Sequence, residues 1–146
     1  MSKETSADLI LKLYELRRED KMREARAWFI SFFPESATDI LNTMIDESTS
    51  AKYRMVSSYW DMAASMVNLG AIDEEMFMAS AGEAWVVLSK IHPYLDELRE
   101  MMGNPNMFKH LESLLLRQPN GLETLAARRE QMKRWMEARA ARQAGG

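Results

Sequence analysis

Two long runs of apolar residues at helical spacing meet at Asn68-Leu69-Gly70-Ala71-Ile72-Asp73-Glu74-Glu75, and that junction constrains the fold more than any other part of the chain. Gly70 reaches the positive φ that closes a helix without penalty. Asp73 is placed to cap the next helix, with Glu74 and Glu75 in its electropositive first turn. A helix stop followed within three residues by a helix start, between two runs that both need burial, predicts an antiparallel helical hairpin. Its arms are expected over about 50–69 and 73–102.

The first arm carries two adjacent stripes, Val56, Trp60, Ala63 and Val67 beside Met55, Tyr59, Met62, Met66 and Leu69. Two stripes give an apolar face wider than a surface helix needs, so this helix belongs at the centre of the fold. In the second arm Phe77, Ala81, Ala84, Leu88, Ile91, Leu95 and Leu98 alternate in steps of three and four across Pro93. Retained phase predicts one helix kinked at Pro93, which has no N–H for the Ser89 carbonyl.

Shorter elements flank the hairpin. A first helix is expected from about Ser6 to Arg18 with Leu9, Leu13 and Leu16 on one face, and the apolar phase restarts at Met22, Ala25 and Phe29 after a break where Asp20 caps the second helix. Pro34 ends that helix and Ser36 opens a short third one to Ile45. Past the hairpin, Gly103 is a stop, Asn104-Pro105 a start, and Phe108, Leu111 and Leu115 a buried face ending before Pro119. Asn120-Gly121-Leu122-Glu123 resembles a capping box for a last helix. The sum is an all-α bundle of six to seven helices around the hairpin. Residues 1–118 form the bundle domain, and 119–146 a basic amphipathic C-terminal helix, either part of the same domain or an oligomerisation arm.

A chain of 146 residues is one domain's worth and buries enough surface for its own core. It contains no cysteine, which excludes a disulfide framework, thiolate metal sites and cysteine nucleophiles. Its two histidines, His92 and His110, have Ser89 and Met107 three residues before them rather than the glutamates of a di-metal bundle site. No His-x-x-x-His pair and no glycine-rich phosphate loop occurs. Catalysis therefore has no anchor, and neither a cofactor nor a metal is expected. The first residues lack a basic region followed by an apolar one, and no apolar run approaches the roughly 18 residues of a membrane span. A cytoplasmic protein is expected.

The charge is uneven. From Gly121 onward six basic residues stand against three acidic ones, a balance of +3 that leaves −6 on the rest of a chain whose net charge is −3. In this basic helix Met132, Trp135 and Met136 cluster on one side among arginines, a patch that needs covering by the body, a second copy or another protein. These three residues are the candidate interaction surface. The expected function is thus a non-catalytic protein-interaction module that self-associates as a homo-oligomer. Two other readings stay open. One is a small-ligand sensor whose pocket opens at the Pro93 kink, with Trp60, Trp85 and Arg99 around an anionic or aromatic ligand. The other is weak nucleic-acid binding by the C-terminal helix, for which +3 with interspersed acids is a faint electrostatic footprint. The thirteen methionines fall mostly at core spacing and are read as packing. Arg99, one position past Leu98, is placed to bond the last carbonyls of its helix, to pair with an acid such as Glu112, or to hold an anion.

Tyr59-Trp60, the run from Asn68 to Asp73, Gly82 to Trp85, Pro93-Tyr94, Arg99, and Phe108, Leu111, Glu112 and Leu114 at their spacing together resemble the core of a bacterial family catalogued only as a domain of unknown function. The resemblance covers about Leu9 to Leu115. It implies an all-helical fold and brings no activity, cofactor or catalytic residue with it. Members often begin with a membrane-spanning helix that has no counterpart here, so no membrane role is carried over.

Overall fold

A computed structural model describes residues 2–145; Met1 and Gly146, the outer ends of the two expected segments, lie outside it. Every regular element among the described residues is helical: α1 (Lys3–Arg17), α2 (Asp20–Ser31), α3 (Ala37–Ile45), α4 (Ser50–Asn68), α5 (Glu74–Met78), α6 (Gly82–Ile91), a 3-10 turn (His92–Tyr94), α7 (Leu95–Met102), α8 (Lys109–Leu116) and α9 (Gly121–Gly145). α4 is the central element, packed against α2, α3, α5 and α8. It buries Tyr53, Val56, Tyr59, Trp60, Ala63, Ala64 and Val67, so its first stripe is the core stripe. Of the second stripe Met55 and Met66 are half-buried, whereas Met62 and Leu69 face solvent.

The junction closes as the residues dictate. Gly70 has φ +90; its N–H donates to the Val67 carbonyl at 3.1 Å and the Ala71 N–H to Met66 at 2.8 Å, the paired bonds of a Schellman ending. An Asp73 carboxylate oxygen accepts the Met76 N–H at 2.9 Å. Gly103, with φ +61, closes α7 in the same manner, since Asn104 N–H donates to Arg99 O at 2.9 Å and Gly103 N–H to Glu100 O at 3.2 Å.

The second arm is not the single kinked helix expected but three helices, and the total count rises accordingly. The first break follows Met78, where the Ser80 and Ala81 N–H groups bond three residues back rather than four. Gly82, a poor residue to carry a helix onward, then begins α6 without a side-chain cap. The second break is at Pro93: lacking an N–H, it sits in the 3-10 turn, and regular bonding resumes in α7. Leu88, Ile91, Leu95 and Leu98 nevertheless stay fully buried, so the apolar phase survives both breaks.

Three starts also differ from expectation. Glu19, rather than Asp20, caps α2, its carboxylate accepting the Lys21 and Met22 N–H groups at 3.1 and 3.0 Å, because the helix begins one residue earlier. α8 starts at Lys109 instead of Pro105; Phe108 takes φ +55, a conformation rare outside glycine and asparagine, and buries its ring in the core. Asn120 adopts φ +55 ahead of α9 instead of forming a capping box. In α1 Leu13 is buried and Leu9 half-buried, whereas Leu16 is exposed. Ser6 joins the buried face, and its hydroxyl accepts the Asp73 N–H at 2.9 Å.

Candidate functional site

α9 lies against α6 and α8, and its first half is stitched to the body. Gly121 meets the end of α8 so closely that a Cβ there would stand 2.3 Å from the Leu115 carbonyl oxygen. One turn on, Leu125 is buried. After another turn Arg129 spends its guanidinium on three acceptors: Nη1 donates to Lys90 O at 3.2 Å, and Nη2 to Pro34 O at 2.8 Å and the Tyr94 hydroxyl at 3.1 Å. The same group lies over the Phe33 and Tyr94 rings at 4.4 and 5.3 Å from their centroids.

Beneath Arg129 is a second cation. Lys90 is 0% exposed, and its Nζ donates to the carbonyls of Phe29 at 2.7 Å and Ile30 at 2.8 Å, at the end of α2, where the last carbonyls of a helix lack their usual partners and the Phe29 carbonyl otherwise takes only the shared Phe32 N–H at 3.2 Å. Burial, with the Arg129 guanidinium alongside, pushes its ammonium down to about 8. Neither residue was expected at a site. The signal was nonetheless present: each is a charge at an apolar register, Lys90 one turn past Val86 and Val87, and Arg129 between Leu125 and Met132.

Further along α9 the expected interaction residues divide. Met132 and Trp135 line, with Ile30, Glu83 and Val86, an open notch of about 290 Å³, and Met136 is half-buried one position beyond. Trp135 remains 42% exposed, with the Arg139 guanidinium 5.1 Å from its ring centroid. From Glu137 to Gly145 every residue is exposed. Glu83, at the notch wall, pairs with Arg26 at 3.0 Å.

The other three candidates lie apart from the Pro93 turn's cavity. That cavity, about 190 Å³, is lined by Ser89, His92, Pro93, Leu122, Leu125, Ala126 and Arg129, and by none of Trp60, Trp85 and Arg99. Trp60 is packed edge-on against Tyr59 and Phe77 with the Arg17 guanidinium 5.3 Å from its centroid, and Trp85 is a core residue. Arg99 donates to the Met107 carbonyl through Nε and Nη2 at 3.0 and 2.8 Å and pairs with Glu112 at 2.9 Å. Glu112 also meets His92 Nε2 at 3.1 Å. These contacts hold the segment between α7 and α8 and tie the 3-10 turn to α8, so the guanidinium is occupied by the fold. Among the described residues no group of three or more His, Asp or Glu is placed to hold a metal ion, and no helix is long and apolar enough to cross a membrane.

The family model of a domain of unknown function (DUF4760) matches residues 4–118, and the chain belongs to that family. Neither a curated protein nor a solved structure matches it. The match ends just before α9, so Arg129 and the notch residues Met132 and Trp135 lie outside the matched region.

Proposed function

We propose that this family member is a non-catalytic, cytoplasmic module that works by protein contact, and that the partner at the α9 notch is a second copy of the chain. The observation that carries the reading is Trp135, a large aromatic left 42% exposed beside Met132 and a 37% exposed Ile30. Aromatic and methionine side chains around a shallow apolar notch are the composition of interface cores. Charge favours like with like here, because the C-terminal helix carries +3 and the remainder −6. Two copies related by a two-fold axis would lay each basic helix on the other's acidic body. The last nine residues of α9 are all exposed, a face that a second copy would cover.

Sedimentation of the full-length chain is expected to give a dimer, and Trp135→Asp a monomer with an unchanged helical circular dichroism spectrum. An interface anchor of this kind is worth roughly 2 kcal/mol or more, so the dimer dissociation constant should rise at least about thirtyfold. A wild type that stays monomeric at every concentration, or a variant that dimerises equally well, removes the proposal.

A further inference from the structure

α9 ends in charge that nothing in its own chain answers. Arg139 and Arg142 follow Trp135 in steps of four and three, so all three lie on one stripe of the helix. Both arginines are exposed, and neither has an ion pair among the described residues. Arg139 does no more than lie against the Trp135 ring, 5.1 Å from its centroid. The aromatic that borders the notch and the cations beyond it therefore face the same way.

The opposite charge is gathered elsewhere. No lysine or arginine occurs between Glu35 and Ala51, the stretch that contains α3. The one basic residue of α7, Arg99, is spent on the Met107 carbonyl and Glu112. Glu35 and Asp39 on the first stretch, and Glu97 and Glu100 on α7, are exposed and carry no ion pair among the described residues. α3 and α7 pack side by side. Arg129 fixes which ends coincide, because its guanidinium holds both the Pro34 carbonyl, just ahead of α3, and the Tyr94 hydroxyl, just ahead of α7. The far ends meet as well, since Met44 and Asn104 line one groove. The two helices thus run in one direction and form one acidic surface.

We propose that this surface receives the end of α9 from a second copy, with that copy's Arg139 and Arg142 against Glu35 and Glu97. The inference rests on the two-copy reading of the notch and says where the partner's basic end goes. Two lengths support it. From Arg129 to Trp135 the helix rises about 9 Å, and from Trp135 to Arg142 about 10.5 Å. A two-fold axis beside Trp135 and across α9 reverses the partner's helix, so its last residues run back along the body instead of away from it. The partner's Arg142 then comes level with Arg129 of this copy, the point at which α3 and α7 begin. Ile30, which lines the notch, stands four positions before Pro34 and leads to the same place. Long arginine side chains with a planar fork suit carboxylates on a neighbouring surface.

Reversing the charges in pairs tests the contact between copies. Arg139→Glu with Arg142→Glu reverses the end of α9, and Glu35→Arg with Glu97→Arg reverses the receiving surface. All four positions are exposed, so each double variant should keep the helical circular dichroism spectrum. By sedimentation each alone is expected to dimerise at least about tenfold more weakly than the wild type, like charges now facing one another. Mixed in equal amounts, the two should recover a dimer within about threefold of wild-type affinity, because reversed end meets reversed surface in one contact and the natural pair meets in the other. A monomeric wild type overturns this inference and the notch reading together. A dimer that Trp135→Asp abolishes but neither charge variant weakens overturns this inference alone. So does a mixture that fails to recover what each variant lost, since the two sets of charges would then not touch.

Discussion

Gly121→Ala is expected to destabilise the chain by about 3 kcal/mol in urea denaturation, with a fall of roughly 10 °C in melting temperature. The added Cβ would stand 2.3 Å from the Leu115 carbonyl oxygen and 3.0 Å from both the Cα and the carbonyl oxygen of Leu116. All three atoms are backbone, so no side-chain rotation relieves the clash and α9 must move away from α8. That movement withdraws Leu125 from the core and Arg129 from the carbonyls of Lys90 and Pro34. Overpacking alone costs about 1–3 kcal/mol, and hydrogen bonds from a charged donor add to it. Gly82→Ala is the control: nothing lies within 4 Å of the place its Cβ would take, and alanine suits a helix better than glycine by about 0.5–1 kcal/mol. A Gly121→Ala protein as stable as the wild type would mean that α9 is not seated as described.

Lys90→Ala is the second large effect, a loss of about 3 kcal/mol at pH 9, because it empties the volume of a buried four-carbon stem, removes the side-chain donor of the Ile30 carbonyl and leaves the Phe29 carbonyl with only the Phe32 N–H. The pH dependence distinguishes the head group from the stem. The unfolded chain holds the Lys90 proton up to about 10.5, whereas the folded chain releases it near 8. Between those values the unfolded state binds more protons, so folding stability rises with pH. The gain is on the order of 2 kcal/mol between pH 8 and 10. A neutral amine retains two N–H donors, enough for both carbonyls, without the cost of a buried charge.

Above pH 10 the sign reverses. Burial pushes the Tyr59 hydroxyl up to about 12 and raises that of Tyr53 further. The unfolded chain then loses these protons first, and stability falls as pH climbs. Denaturation midpoints should therefore peak near pH 10 in the wild type. Lys90→Met, which keeps the stem and removes the amine, should abolish the rise from 8 to 10 and leave the later fall intact. A wild-type curve that is flat or descending across that interval would show that the carbonyl bonds outweigh burial at this amine.

Much of the fold was legible in the chain because its signals are local. Gly70 and Gly103 take the left-handed conformations that end helices, Asp73 and Ser36 cap their successors, and the phase of Leu88, Ile91, Leu95 and Leu98 marks a buried face. The break between Met78 and Gly82 was not legible, since Ala81 and Ala84 keep the helical period through it. Nor was the start of α8 at Lys109: Asn104-Pro105 has the composition of a helix start, but the Phe108 ring is drawn into the core and Arg99 holds the Met107 carbonyl. The candidate site was half legible. An amphipathic stripe picked out Met132 and Trp135, but Lys90 and Arg129 are understood only when their carbonyl partners on α2 and beyond Phe33 are in place. Trp60, Trp85 and Arg99 share apolar or boundary registers, which says that each is enclosed and not that they enclose the same space.

The sequence by itself determined that this chain is helical, where most helices stop and start, and which face of each is apolar, because backbone bonding and side-chain periodicity are settled within a few residues. Tertiary structure alone decided that α9 is anchored to the body through Gly121, Leu125 and Arg129 and left uncovered past Met136, that a buried lysine finishes α2, and that α3 and α7 begin side by side at Arg129. Those facts depend on contacts between residues dozens of positions apart, and a hydrogen-bond donor on one helix carries no mark in its own segment of the carbonyl that a different helix will bring to it.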